Sequence, residues 1–516
     1  MPVVSDAAGD QLNDQHHVND QHDLNDLPEQ MRIRAEKLDR LRAAGTDPYP
    51  VGYPRTTSLT ALRARFGDLA PDSATGETVG VTGRVVLNRP TGKLVFATLQ
   101  ENGERLQVML PADVVGRERL DAWKSDVDLG DHVGITGEVI TSRRGELSVR
   151  ASGWTLTAKS LRPLPDKHKG LSDPEARVRQ RYLDLIVNPE ARRQVIARDS
   201  VLAALRSGLR EHDYVEVETP VLQPLHGGAA ARPFITHSNA LDVDLYLRIA
   251  LELYLKRLVV GGIERVYEIG RNFRNEGVDS SHNPEFTMLE FYEAYGDYDS
   301  MADRTRTLVL AAAEAVGGTT VPDGRGGSLD LAAPWASKTV HEAVSEVTGT
   351  EVGAVTADTP VGELRRVAAA ADVALQPGWN AGQVLLELYE QLVEGQTREP
   401  TFYRDFPVEV SPLVRAHRRD PRLTERWDLV VLGRELGTGY SELVDPVEQR
   451  RRLTDQSRLA AGGDDEAMQL DEEFLRALEY AMPPTGGVGV GIDRLLMLVT
   501  GANSIRETVT FPLVRH

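Results

Sequence analysis

Cysteine is absent from all 516 residues of the sequence. That excludes a disulfide framework, a thiolate zinc site and a cysteine nucleophile, and it fits a reducing compartment. Long apolar runs are absent too. No stretch approaches the roughly 18 residues a membrane span needs, and the N-terminus lacks the basic start and apolar middle of a secretory signal. Positive charge is scarce. Lys and Arg number 59 against 78 Asp and Glu, a formal net charge of −19, so a generally basic nucleic-acid-coating protein is excluded while a local basic face is not. The Walker-type Gly-x-x-x-x-Gly-Lys-Ser/Thr, the Gly-x-Ser-x-Gly elbow and the His-Glu-x-x-His pair are all missing. Gly487-Val488-Gly489-Val490-Gly491 is rich in glycine but does not fit a dinucleotide fingerprint. What is present, 41% apolar and 27% charged residues, is the balance of a soluble, cytoplasmic protein, and the length implies two or three domains.

Residues 1–27 carry six acidic and no basic residues, and a near-repeat in which Asn13-Asp14-Gln15-His16-His17-Val18 is followed by Asn19-Asp20-Gln21-His22-Asp23-Leu24. They read as a disordered acidic tail; a metal site on the histidines is the weaker reading. Pro28 opens a helical segment over 28–74, with Met31, Leu38 and Leu41 at helical spacing and Gly45 and Pro48 as the stop. From 75 to 160 the pattern changes to five short strands: Val79–Val85, Lys93–Leu99, Leu106–Leu110, His132–Gly137 and Leu147–Val149. One helical interruption, Asp113–Trp123, divides them. This suits a small closed barrel such as an OB-fold, with a sandwich fragment as the alternative. A basic connector begins at 161 and is bounded at 195. Over 161–210 the chain holds eleven basic against six acidic residues, a local reversal of its overall charge. An α+β region fills 196–516, with an Ala-rich helical stretch near 305–400.

Three blocks in that region carry chemistry. Asp213-Tyr214-Val215-Glu216-Val217-Glu218-Thr219-Pro220 is a strand ending in proline, an edge or interface element. Glu264–Tyr292 runs from a strand (Arg265–Ile269) through Arg271-Asn272-Phe273-Arg274-Asn275-Glu276 and a polar loop to His282-Asn283-Pro284-Glu285-Phe286-Thr287-Met288-Leu289-Glu290-Phe291-Tyr292. Polar and apolar residues alternate along it, so the polar ones project from one face of a sheet. An arginine offers a fixed fork to a carboxylate or phosphate, and Phe286 a flat surface to a base; a salt-bridged antiparallel pair is the alternative. In the third block, Val488–Leu498, small residues permit close backbone approach and Arg494 lies near the start of an apolar helix. The choice there is between a phosphate-binding arginine and a buried Asp493–Arg494 network.

Together these blocks resemble, in order, the three signature motifs of the class II aminoacyl-tRNA synthetases. The flanking sequence is similar to the bacterial-type class II lysyl-tRNA synthetases: Gly227-Gly228-Ala229-Ala230-Ala231-Arg232-Pro233-Phe234, Glu252-Leu253-Tyr254-Leu255-Lys256-Arg257, and the connector from Arg162-Pro163-Leu164-Pro165-Asp166-Lys167 to Arg179-Gln180-Arg181-Tyr182-Leu183-Asp184-Leu185. The resemblance runs from about residue 28 to the end. It implies an α+β fold, an antiparallel-sheet catalytic domain of class II type with an N-terminal OB-fold β-barrel. It also implies activation of lysine by ATP with magnesium and transfer of lysyl to tRNA(Lys), by a homodimer without DNA or membrane partners. By the same resemblance Arg274 bridges the lysine carboxylate and the α-phosphate, Glu276 and His282 hold the nucleotide, Phe286 stacks on adenine, and Arg494 grips the terminal phosphates. Asp428 and Glu435 match the magnesium carboxylates, Glu435 also serving the ATP site. Gly228 and Glu252 match the α-amino site. Glu290, Tyr292 and Glu442 match the side-chain pocket, with Tyr440 as its wall and Thr438 as a further lysine contact. Arg89, Phe96, Gln107 and Glu146 match anticodon-contacting positions.

The sequence departs from that family at Leu251, usually proline, at Thr438, often asparagine, at Asp428, often glutamate, and at Ser281, often arginine. No catalytic group is lost. An aspartate or asparagine synthetase shares the barrel and fold, but carboxylates at Glu290 and Glu442 suit a cationic substrate. A lysine-transferring paralogue and a non-catalytic RNA- or lysine-binding descendant are the other readings; retained Arg274, Glu435 and Arg494 count against the second. The connector, at its local positive charge, is the expected basic patch for tRNA.

Overall fold

A computed structural model describes residues 28–165, 171–461 and 467–514. The acidic tail with its His-rich repeat, and Asp166 and Lys167 of the connector, lie outside the described residues. The chain forms two compact units that divide between Ser172 and Asp173.

In the first unit, strands β1 (Ala74–Thr91), β2 (Leu94–Glu101), β3 (Glu104–Pro111), β4 (His132–Thr141) and β5 (Leu147–Ala158) close into a barrel in the order β1-β2-β3-β5-β4. β3 and β5 run parallel; the other pairs are antiparallel. The period of two fills the interior: Val95, Ala97 and Leu99 of β2 and Leu106, Val108 and Leu110 of β3 are buried, and the residues between them face outward. The helical interruption becomes Ala112–Val115 and Arg117–Asp126, which buries Trp123 edge-on against Trp154 with ring centroids 5.2 Å apart. The segment before the barrel is part of the same core, through Leu41, Leu59 and Leu62. Pro28 caps the helix Glu29–Ala43 from outside instead of filling its first turn. Polar ties hold that helix: Arg34 donates to the carbonyls of Leu129, Ser160 and Arg162. The fully buried Lys159 ammonium pairs with Asp128 at 2.6 Å and Asp131 at 2.8 Å, pinning the end of β5 to the turn before β4.

The second unit is built on an eight-stranded sheet. Its strands are β6 (Val215–Glu216), β7 (Arg265–Phe273), β8 (Glu285–Ala294), β9 (Ala336–Thr339), β10 (Thr401–Arg404), β11 (Arg426–Val431), β12 (Arg434–Ser441) and β13 (Thr485–Gly491), in the order β9-β10-β11-β12-β13-β8-β7-β6. The outermost pair at each edge is parallel and the rest antiparallel. Tyr267, Leu289, Phe291, Trp427, Leu429, Val488 and Val490 form one face, in a single core with Val201, Leu205 and Leu209 of helix Pro189–Arg210 and Leu308 of helix Tyr298–Glu314. Residues alternate across a strand, so Glu290, Tyr292, Asp428, Thr438 and Tyr440 share the other face. The Ala-rich stretch contributes helices Val340–Thr348, Gly362–Ala370 and Ala381–Leu392, which pack into a second cluster with Tyr403, Phe406 and Val430.

The connector differs from its reading in the sequence. Pro189–Arg210 is one continuous helix whose apolar stripe belongs to the second unit, so residue 195 falls inside it. Its charge is also not free. Among the described residues of 161–210, Arg177, Arg179, Arg181, Arg193, Arg198, Arg206 and Arg210 are ion-paired with carboxylates.

Candidate active site and anticodon-binding face

The register of the sheet lines up the polar face. Glu290 of β8 stands opposite Gly489 of β13, which faces Thr438 of β12, which faces Asp428 of β11. The adjacent row is Tyr292, Gly487, Tyr440 and Arg426. In β13 the valines enter the core and the glycines floor the site. A Cβ on Gly487 would lie 2.1 Å from Glu442 Oε1 and 2.5 Å from the Tyr292 ring, so the close approach this sequence permits is to the pocket's own side chains.

Three carboxylates are buried around this floor: Glu252, Glu290 and Glu442. Glu290 accepts the Leu251 N–H at 3.0 Å and the Tyr292 hydroxyl at 3.2 Å. Burial, and then the charge of Glu252, push its pKa up to about 7 against those donors and Arg274. Burial also raises Glu252 and Glu442. Between these two lies Lys256, fully buried, its ammonium ion-paired with Glu252 Oε1 and Glu442 Oε2. Both Glu442 carboxylate oxygens are buried without a hydrogen-bond partner among the described residues, and Oε2 is the one that meets Lys256 as an ion pair. Gly228, at φ +86°, passes close enough that a Cβ would come within 3.2 Å of the Glu252 Cβ. Leu251 replaces a proline of the resembled family, and its consequence is the amide: proline has no N–H to give Glu290.

Arg274 and Arg494 stand at the mouth. The Arg274 amide donates to the Pro284 carbonyl at 2.8 Å, and its guanidinium lies 5.1 Å from the centroid of the Phe286 ring. Arg494 donates to the Glu435 carbonyl at 2.9 Å, and its other terminal nitrogen donates to His282 Nε2 at 3.3 Å. His282 Nδ1 in turn donates to Asp279 at 2.8 Å. Asp279 also accepts the Ser281 hydroxyl at 2.9 Å, so Ser281 serves the loop's own turn. Glu276 is exposed and accepts the Arg232 N–H at 3.4 Å. Asp493 and Arg494 part company. Asp493 is buried, holding Arg198 at 2.6 Å and the Thr287 N–H at 2.8 Å, which frees Arg494 to face the site.

Asp428 Oδ1 accepts Arg426 Nε at 3.0 Å and the Thr438 hydroxyl at 2.6 Å, while Oδ2 accepts Arg426 Nη2 at 2.7 Å. The Thr438 hydroxyl also lies 3.2 Å from the Trp427 carbonyl, and its shorter contact is to Asp428. A carboxylate offers about four acceptor positions, so one remains on Oδ2, and Glu435 is the freer group. Glu394 lies nearby, and burial, then the charges of Glu435 and Asp428, push it up to about 8, so it holds a proton near neutral pH. No group of three or more His, Asp or Glu among the described residues is arranged to hold a metal by itself. Two carboxylates with room for phosphate oxygens fit magnesium, which commonly takes part of its shell from a nucleotide.

On the barrel, Phe96 of β2 stands opposite Arg89 of β1 and Met109 of β3. Gln107, two residues from Met109, donates to Ser148 Oγ of β5 at 2.9 Å, and the Ser148 hydroxyl donates to the Glu146 carbonyl at 3.0 Å. Arg89, Phe96 and Gln107 thus lie along one outward face, Arg89 exposed and the other two half-buried, and the exposed Glu146 is tied to it through its backbone carbonyl. Met109 and its partner Arg150 share that face and were legible only as the alternate positions of strands. Lys256 and Arg426 are the other residues missed. Each had a signal, four residues after Glu252 on a helix and two before Asp428 on a strand.

Residues 173–515 match the family described as tRNA synthetases class II (D, K and N), and residues 79–157 match the OB-fold nucleic acid binding domain. The chain belongs to this class II tRNA synthetase family. It is 58% identical over 492 residues to the lysine--tRNA ligase of Kineococcus radiotolerans, covering 95% of this chain and 97% of the relative. It is 56% identical over 494 residues to that of Mycolicibacterium gilvum, covering 95% and 98%. It is also 55% identical over 493 residues to the lysylphosphatidylglycerol biosynthesis bifunctional protein LysX of Nocardia farcinica, where the match covers 95% of this chain and 43% of the longer relative. The matches over nearly whole chains put it in the lysine--tRNA ligase branch.

The Glu290 shift has a stability consequence. The folded protein keeps this proton up to about pH 7, whereas the unfolded chain releases it near 4.5. The contribution to stability is complete below pH 4.5 and is lost as the pH rises to about 7, at most about 3 kcal/mol. Glu290→Gln is expected to flatten the fall in urea-unfolding free energy between pH 5 and 7; an unchanged slope would count against the shift.

Proposed function

We propose that the chain activates L-lysine with ATP to lysyl-adenylate and transfers lysyl to the 3′ end of tRNA(Lys), in the cytoplasm as a step of translation. The observation that carries this reading is the trio of buried carboxylates below Arg274, one with no hydrogen-bond donor among the described residues. An ammonium leaving water needs such partners, and a neutral side chain would leave them unpaired. Glu252, beside the open backbone of Gly228, takes the α-amino group. Glu290, Tyr292 and Glu442 take the ε-amino group, and Tyr440 walls the pocket. Thr438 acts through Asp428.

No enzyme nucleophile is required, because the lysine carboxylate itself attacks the α-phosphorus and pyrophosphate leaves. Arg274 orients the carboxylate against the phosphate and neutralises charge that builds between them; Phe286 stacks on adenine. Glu276 and His282 hold the nucleotide, and Arg494 meets the terminal phosphates. Asp428 and Glu435 would hold magnesium, which supplies positive charge to the triphosphate. The row Arg89, Phe96, Gln107 and Glu146 suits an unstacked RNA loop, read by stacking and base-edge hydrogen bonds. A homodimer is supported by apolar residues left exposed over 215–243, among them Val215, Leu222, Ile235 and Leu241.

The relative LysX shares this part of its sequence, so the acceptor must be tested apart from activation. ATP–pyrophosphate exchange with magnesium, tried with each standard amino acid, is expected to respond to lysine alone; response to none or to an acidic amino acid would reject the reading. Purified tRNA(Lys) is then expected to accept lysine, and failure with active exchange would point to another acceptor. Phe96→Ala is expected to cut charging about tenfold or more, the scale of one lost base stack, while exchange is unchanged. Equal loss in both assays would remove Phe96 from the anticodon face.

A further inference from the structure

Lys256 stands inside the proposed lysine pocket and has no part in the mechanism above. Its side chain is fully buried, on the first turns of helix Glu252–Val260, and it reaches two carboxylates that come from different elements. Glu252 lies on its own helix; Glu442 follows β12. Glu290 and Tyr292 on β8, Tyr440 on β12 and the Arg274 guanidinium are the other charged or titratable groups around this cluster. We propose that Lys256 is a positioning and specificity-determining residue, a resident cation that holds Glu252 and Glu442 together by one oxygen each and sets the pocket's charge to match lysine.

The argument is geometric first. Lys256 meets Glu442 at Oε2 as an ion pair, while neither buried Glu442 oxygen has a hydrogen-bond donor among the described residues. It engages Glu252 through Oε1, leaving Oε2 uncommitted to it. Each carboxylate is thus fixed with one oxygen available, where free rotation and mutual repulsion would otherwise scatter them. The charge follows. Once lysine binds and all three carboxylates are ionised, three carboxylates less one resident ammonium leave two negative charges, which the two ammonium groups of lysine match, its carboxylate being matched by Arg274. A buried site is strict about such matching, because each uncompensated charge is costly away from water. Without Lys256 the pocket would hold one carboxylate too many and would keep a proton to higher pH.

This inference rests on the lysine-activating reading, and the test separates the two. Lys256→Met and Lys256→Gln are compared with the full-length wild-type protein by ATP–pyrophosphate exchange across pH 6–9. Wild type without lysine-dependent exchange would reject the underlying reading. With an active wild type, both variants are expected to raise KM for lysine about tenfold or more at pH 7. KM for ATP and kcat at saturating lysine should stay within about threefold, and the midpoint of the lysine kcat/KM profile should move up by about one pH unit. A lowered melting temperature with an unmoved lysine KM and pH profile would make Lys256 a packing residue and overturn the proposal. Failure of both variants to fold would do the same.

Discussion

Like charges crowded out of water are the constraint on which this molecule's active site depends. Three carboxylates share one dry pocket, and none could stay there on Coulomb terms alone. The fold answers with the few donors it can bring: a backbone amide from Leu251, a hydroxyl from Tyr292, an ammonium from Lys256 and the guanidinium of Arg274. The compensation is incomplete, which leaves protons on carboxylates near neutral pH and the oxygens of Glu442 without a hydrogen bond. An incompletely neutralised anionic pocket is a binding site for a cation.

The sheet makes that crowding possible. Antiparallel pairing with alternation puts Leu289, Phe291, Val488 and Val490 into a continuous core, and that core fixes the backbone under the polar face. Glycine at 487 and 489 removes the side chains that would otherwise fill the floor. Outside the pocket the same economy recurs. Asp493 ties helix Ile492–Thr500 to β8 through the Thr287 amide, so that the neighbouring Arg494 can turn outward. On β11, Arg426 braces Asp428 and fixes its position.

Much of this was legible in the sequence because it is written with short periods. Val95, Ala97 and Leu99 announce a barrel strand, and the alternation from Glu285 to Tyr292 announces which residues share a face. The motif residues Arg274, Phe286, Glu290 and Arg494 were found through resemblance, and the sheet brings them to one site. What stayed hidden depends on partners far apart in the chain. Nothing near Lys256 reveals that Glu442 closes on it, and the basic surplus over 161–210 could not be seen to pair with Asp493 and Glu216. Helix Pro189–Arg210 joins the second unit because Val201, Leu205 and Leu209 meet its core, a fact of packing and not of composition. Leu251 brings one donor, its N–H to Glu290, that a proline would lack.

The most direct measurement of the central claim is calorimetric titration of lysine into the protein between pH 6 and 8.5, in buffers of different ionisation enthalpy. If the pocket's carboxylates hold protons until an ammonium replaces them, lysine binding releases protons around pH 7 and tightens as the pH rises. Binding that releases none and keeps one affinity throughout would contradict the account.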